Sequence, residues 1–323
     1  MTDVISYTDL LKMDIPAVDY LVDSIIPKSS LVYCYGAAGS FKTNFLLYTS
    51  MLGCDGQNVF DFHVKKPFKT LWIDEENRDI GMKDKISKIS NGIAFKDITN
   101  LHSNLVAIST GFQIISPSSI IWLGEAIDQY KPDMIVIDSI AKVFPLNERD
   151  EKDVRMIYSQ LSILIKKFGV TIVLIHHTRK KGYQQNSRDM EDMAGSREFA
   201  AMADSMILIE ELGSNKYMLK QTKNRYSYKC YSINFSVSGD DGKISLHYEG
   251  EVRDKYKNKE LEVSQKIQSW FISNNIKKFK TKDVMEFLKE EGYKPTSIRG
   301  GINQLLKLGV LKHTEYGYYE QNA

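Results

Sequence analysis

A chain of 323 residues is long enough for one large α/β domain and a small second one. Its 43 basic and 41 acidic residues nearly cancel, so no global charge marks a nucleic-acid binder, and any such contact must come from local patches. No stretch approaches the roughly 20 apolar residues of a membrane span, so no membrane association is expected. The opening MTDVISYTDLLKMDIP carries acids and lacks the basic-then-apolar order of a secretory signal. Cys34, Cys54 and Cys230 are odd in number, scattered and without metal-ligand spacing, which fits reduced thiols in a cytoplasmic protein.

In chain order, apolar strand-like runs alternate with helical stretches from residue 30 to about 235. The strands read are Leu31–Tyr35, Lys69–Asp74, Leu105–Ile108, Met134–Asp138, Thr171–Ile175 and Ser205–Glu210, with helical segments such as Asn44–Leu52, Ile120–Gln129 and Asp153–Phe168 between them. This alternation predicts a mostly parallel sheet flanked by helices. The runs MIVID and TIVLIHH are continuously apolar, as strands buried on both faces are. Tyr217–Gln221, Ser232–Ser236 and Lys243–Tyr248 then read as antiparallel strands closing the sheet edge, so the first domain is placed at 1–248.

The charged run 249–262 (EGEVRDKYKNKELE) reads as a linker to a second domain at 263–323. Helices are expected at Val263–Asn275, Thr281–Glu291 and Pro295–Leu308, followed by a hairpin that turns at Glu315-Tyr316-Gly317. Three helices and a hairpin outline a winged helix-turn-helix. Its third helix carries Lys294, Arg299 and Lys307, with Asn303 and Gln304, a set suited to phosphates and base edges. The 261–323 segment has ten Lys or Arg against seven Asp or Glu, only mildly basic, so duplex DNA and a protein partner both remain candidate ligands.

The densest chemical signal lies at Gly36-Ala37-Ala38-Gly39-Ser40-Phe41-Lys42-Thr43, between a buried strand and a helix. Strand, glycine-containing loop, Lys-Thr and helix form the context of a phosphate cradle, with backbone N–H groups and the positive helix end facing the anion. Lys42 would meet the β- and γ-phosphates and the Thr43 hydroxyl would bind Mg²⁺. Phe41 stands where the pattern has glycine, which is tolerable if it takes helical dihedrals and leaves the turn to Gly36 and Gly39.

Further candidates sit at the C-terminal ends of other strands, the edge where ligands of such sheets bind. Asp138 closes MIVID and would hold Mg²⁺ with Thr43. Asp74-Glu75-Glu76 closes the second strand and offers a carboxylate to orient the attacking water, Glu76 ahead of Glu75. His176 and His177 face opposite sides of a strand, so joint metal chelation is not expected. His177 reads as a γ-phosphate sensor and His176 as core packing. Arg179, Lys180, Lys181 and Arg188 make an acid-free basic loop with Tyr183, suited to single-stranded nucleic acid. Lys223 and Arg225 would stabilise the transferring phosphoryl group if a neighbouring copy presented them.

GAAGSFKT, WIDEEN, MIVIDSIAKVF, TIVLIHHTRK, AGSREFAAMADSMILIE and KNR occur here in an order that resembles RecA-like ATPases, most closely the RepA-type and DnaB-type hexameric replicative helicases. The resemblance spans about residues 10–235. It implies a RecA-like core, ATP and Mg²⁺ bound between subunits of a homo-oligomer, usually a hexamer, and single-stranded DNA in a central channel lined by the loops at Lys142–Lys152 and Arg179–Ala194. It also implies Glu76 as catalytic glutamate, Asp138 as metal-binding carboxylate, His177 as sensor, and Lys223 with Arg225 as a trans-acting pair. The stretch before residue 30 is short for the helical collar of DnaB-type helicases. The expected function is an ATP-driven DNA helicase, with a non-translocating ATP-dependent switch or loader as the alternative. In that alternative, the winged helix recruits it to duplex DNA or a replication protein.

Overall fold

The structure, a computed structural model, describes residues 6–12, 18–108, 111, 113, 117–144, 151–178, 197–227, 229–252, 255–274, 276–289, 292–307, 309–315 and 318–322. It divides into two units, Met1–Glu251 and Val252–Ala323.

The first unit opens with α1 (Tyr7–Lys12), β1 (Tyr20–Val22), β2 (Ile26–Pro27), β3 (Leu31–Gly36) and α2 (Lys42–Cys54). Next come β4 (Thr70–Asp74), α3 (Arg78–Asn91), α4 (Ile98–Asn104), β5 (Leu105–Ile108), α5 (Pro117–Tyr130), β6 (Met134–Asp138) and α6 (Ile140–Val143). It continues with α7 (Glu151–Phe168), β7 (Thr171–His177), α8 (Arg197–Met202), β8 (Ser205–Gly213), β9 (Lys216–Asn224), β10 (Ile233–Asp240) and β11 (Lys243–Glu251). Nine of these strands form one sheet in the order β11-β10-β9-β8-β3-β7-β6-β4-β5. From β8 to β5 neighbours run parallel, while β9, β10 and β11 extend the sheet antiparallel.

Alternation of side chains splits the central strands between two cores. Val32 and Cys34, Trp72, Met134 and Val136, and Val173 and Ile175 pack with Phe45, Leu46 and Met51 of α2 and with Met82 and Ile89 of α3. Leu31, Tyr33 and Tyr35, Ile135 and Ile137, and Ile172 and Leu174 pack with α5, α7 and Phe199 of α8 on the other face. With both faces covered, the strands must be apolar throughout, which is why they stand out in the sequence.

Register brings the functional ends together. Gly36 pairs with His177, and Asp74 with Asp138, so the four C-terminal strand ends share one edge.

The second unit consists of α9 (Lys255–Ser273), β12 (Lys278–Lys280), α10 (Thr281–Lys289), α11 (Pro295–Lys307), β13 (Leu311–Glu315) and β14 (Tyr318–Gln321). Its strands form an antiparallel sheet in the order β12-β14-β13 over a core that includes Ile267, Phe271, Phe279, Val284, Ile298 and Leu305. The charged run 249–262 is redrawn: Glu249–Glu251 finish β11 and Lys255 onward is helix, so only 252–254 lies between elements. Lys and Glu are good helix formers, and charge density alone does not make a linker. Among the described residues no helix is long and apolar enough to cross a membrane.

Candidate nucleotide site

The site begins where β3 stops. A Cβ on Gly36 would lie 2.2 Å from the Ile209 carbonyl oxygen of β8, so only glycine lets the chain leave the sheet there. The loop then turns through Gly39 at φ +81° and enters α2, whose N-terminal end points at the loop. Lys42 is almost fully buried, and its ammonium donates to the carbonyls of Gly36 (3.1 Å) and Ala37 (2.6 Å). Burial lowers its pKa.

Phe41 departs from expectation. It is not helical but left-handed, at φ 70° and ψ 14°, and it N-caps α2. For a bulky L-residue that conformation costs about 1–2 kcal/mol, the reason glycine usually holds such a position. Its ring lies stacked on Tyr217 of β9, with centroids 5.1 Å apart and an interplanar angle of 30°. Such pairs return about 0.5–1.5 kcal/mol beyond burial, enough to offset much of the strain.

The Thr43 hydroxyl donates to Asp138 Oδ2 at 2.7 Å. Asp138 is fully buried, and burial first, then the nearby Asp74 and Glu76, raise its pKa to about 6. Its Oδ1 is buried with no hydrogen-bond partner among the described residues. An orphaned carboxylate oxygen beside a threonine hydroxyl suits a hard divalent cation with oxygen ligands, so Thr43 and Asp138 fit Mg²⁺. When bound, the ion would neutralise charge on the β- and γ-phosphate oxygens.

The three acids after β4 separate by role. Asp74 is buried, and its Oδ1 accepts from the backbone N–H groups of Glu76 (2.9 Å) and Asn77 (2.8 Å), so it holds the turn. Glu75 Oε2 accepts from the Gly111 N–H at 2.9 Å. Glu76 Oε2 lies 3.4 Å from His177 Nε2. His177 holds the Glu76 carboxyl down at about 2, against the upward push of burial. His176 turns into the core against Phe199 at 5.3 Å, and burial lowers its pKa to about 4.

The structure does not bring Lys223 and Arg225 to this edge. Lys223 donates to the Ala200 and Ala201 carbonyls at the end of α8, at 2.7 and 2.9 Å. Arg225 donates to the Ala201 carbonyl at 3.0 Å and pairs with Asp204 at 3.1 Å. Ser205 pairs with Asn224, whereas Gly36 lies beside Ile209. Four residues of strand, about 13 Å, therefore separate the pair from its own cradle.

Arg179, Lys180, Lys181 and Arg188 lie outside the described residues, as does 145–150 of the other expected channel loop. Lys294 and Arg299 are exposed at the start and on the outer face of α11, and Lys307 falls at its end. Sequence reading missed Asp74 as the turn's anchor, although an Asp at a strand end can accept from the backbone N–H two residues on in an Asx-turn. It also missed Lys85, which donates to Asn77 Oδ1 at 2.6 Å and adds positive charge beside Glu76. No local pattern announces that contact from within α3.

A phosphate loop with its carboxylates on the C-terminal edge of a mostly parallel sheet is the arrangement of a P-loop nucleotide-binding α/β protein. A family model described as an AAA domain matches residues 4–183, and the chain belongs to that family of ATPases. No curated protein matches. Among solved structures, a KaiC-like protein from the hyperthermophilic archaeon Pyrococcus horikoshii OT3 overlays with a TM-score of 0.49 at 14% identity. That overlay covers 70% of this chain and 93% of the other.

Proposed function

We propose that this chain is an ATP-hydrolysing DNA motor of the replicative-helicase type, working as a ring of copies around single-stranded DNA. The observation that carries the reading is the placement of Lys223 and Arg225 at the sheet end opposite their own phosphate cradle. If they serve a nucleotide site it is that of another copy, an arrangement that would need head-to-tail assembly and closes most simply as a ring. In that arrangement Lys42 and the α2 end bind the phosphates, Glu76 orients the attacking water, and the neighbour's Arg225 neutralises charge on the transferring group. A γ-phosphate offers His177 a second acceptor; as His177 leaves Glu76, the carboxylate regains basicity when it is needed.

The case for DNA rests on the acid-free basic run Arg179–Arg188, which in sequence comes two residues after His177, the last residue of β7. The second unit has the element order of a winged helix-turn-helix, with α10 and α11 as the helix pair and β13–β14 as the wing. The exposed Arg299 and Asn303 on α11 favour duplex DNA as its ligand. That feature also supports the second reading, a static ATP-dependent switch or loader seated on duplex DNA.

ATPase rates with and without single-stranded DNA, on wild type and Lys42→Ala, separate the two. Strong stimulation that vanishes in the variant is the expected result. Hydrolysis that ignores single strands while the protein binds duplex would replace the motor by the switch. Hydrolysis indifferent to both DNA forms would sink both readings.

A further inference from the structure

The phosphate loop carries a phenyl ring where free backbone rotation is wanted, and the antiparallel extension of the sheet supplies a partner for that ring. We propose that Tyr217 is a positioning residue of the nucleotide site: its ring clamps Phe41 in the left-handed conformation that shapes the phosphate loop. The inference rests on the nucleotide-binding reading of residues 36–43.

A left-handed residue in such a loop turns successive N–H groups into one concavity, the anion-binding nest. Glycine holds that conformation unaided; phenylalanine does not. A phenyl ring has no hydrogen-bonding group, so Phe41 cannot cap the helix by its side chain as Ser or Asn would. What holds it is a row of rings. Phe41 stacks on Tyr217, Tyr217 stacks on Phe235 at 5.4 Å and 21°, and Phe235 packs on Phe45 at 5.7 Å. Phe45 belongs to α2, and its N–H donates to the Phe41 carbonyl at 2.9 Å, so the circuit closes on the residue it began with. Tyr217 is 7% exposed and Phe235 and Phe45 are fully buried, so the ring under Phe41 has a fixed seat. Strands β9 and β10, which lie outside the parallel strands that carry the catalytic edge, thereby brace the loop.

The test is ADP affinity of the full chain by isothermal titration calorimetry, with thermal unfolding alongside and KM and kcat for ATP. Tyr217→Ala should weaken ADP binding by about tenfold and raise KM with kcat within about twofold, because the nest is populated less often. Tyr217→Phe should bind as wild type. The decisive comparison is in the Phe41→Gly background, where Tyr217→Ala should change affinity by less than about twofold, since glycine no longer needs the clamp. Phe41→Ala, which keeps the Cβ and loses the ring, should bind about tenfold more weakly than Phe41→Gly. Equal losses from Tyr217→Ala in both backgrounds would overturn the proposal, as would a folded Tyr217→Ala with wild-type affinity. Should Tyr217→Ala not fold, wild type against Phe41→Ala decides: Phe41→Ala should bind about tenfold more weakly because the left-handed cost stays while the stacked ring is lost, and equal affinities would overturn the clamp. A wild-type chain that binds no nucleotide overturns the underlying reading as well; variants that all bind alike overturn only the role of Tyr217.

Discussion

His176 enters the core where its neighbour His177 meets the acid turn, because successive strand residues face opposite sides of a sheet. The buried ring has a measurable consequence. Its pKa falls from the ordinary 6.5 to about 4, chiefly through burial, so between those values the unfolded chain binds a proton that the folded chain refuses. The contribution is present above 6.5 and lost as pH falls through 4, on the order of 3 kcal/mol over the window. His176→Phe, which keeps an aromatic against Phe199, should flatten the pH dependence of urea unfolding between pH 6.5 and 4. The lost bond from His176 Nδ1 to the His177 carbonyl would offset the curve without tilting it. Parallel curves for variant and wild type would show that another group carries the acid sensitivity. At this scale the sequence revealed which residues were polar at strand ends, and their division of labour only partly. Alternation assigned the two histidines to opposite faces. The three acids, however, are sorted by backbone N–H groups that Asp74 gathers and by the Gly111 N–H that engages Glu75, contacts formed only once the turn is folded.

Among the elements, the parallel strands were legible because burial on both faces leaves continuous apolar runs such as MIVID. Helix α3 was not. Met82, Ile86 and Ile89 do keep helical spacing, but Ile80, 86% exposed, adds an apolar residue off that face and the charged residues around them dilute the pattern. Strand β12 is too short, at Lys278–Lys280, to show a period. Left-handed Phe41 was also illegible, because nothing near it in sequence points to Tyr217, 176 positions away. The sheet's polarity is the element-scale fact with the most chemistry in it. Because β9 runs antiparallel to β8, its end carries Lys223 and Arg225 away from the cradle. Glu76→Gln and Arg225→Ala should each lose ATP turnover alone, yet mixing the two proteins should restore some. Random pairing in a closed ring gives roughly a quarter of interfaces with both groups intact. Turnover in the mixture no higher than the mean of the separate variants would place Arg225 outside any shared site.

At the scale of the whole molecule, the residues proposed for chemistry and those proposed for duplex recognition fall in different units. Every residue of the cradle, the acid turn and the Lys223–Arg225 pair lies before Glu251, in a unit with two large buried clusters of its own. Arg299, Asn303 and Lys294 lie after it, in a unit whose core is built from its own three helices and sheet. A chain ending at Glu251 should therefore keep ATP binding and hydrolysis, and keep its response to single strands, because the basic loop after β7 remains. Duplex affinity, read by fluorescence anisotropy, should fall by at least about tenfold and lose most of its salt dependence, since the phosphate contacts assigned to α11 are gone. Should duplex affinity survive the truncation while single-strand stimulation disappears, the roles are reversed: the second unit then serves the translocating strand or a partner protein, and the duplex is gripped by the ATPase unit itself.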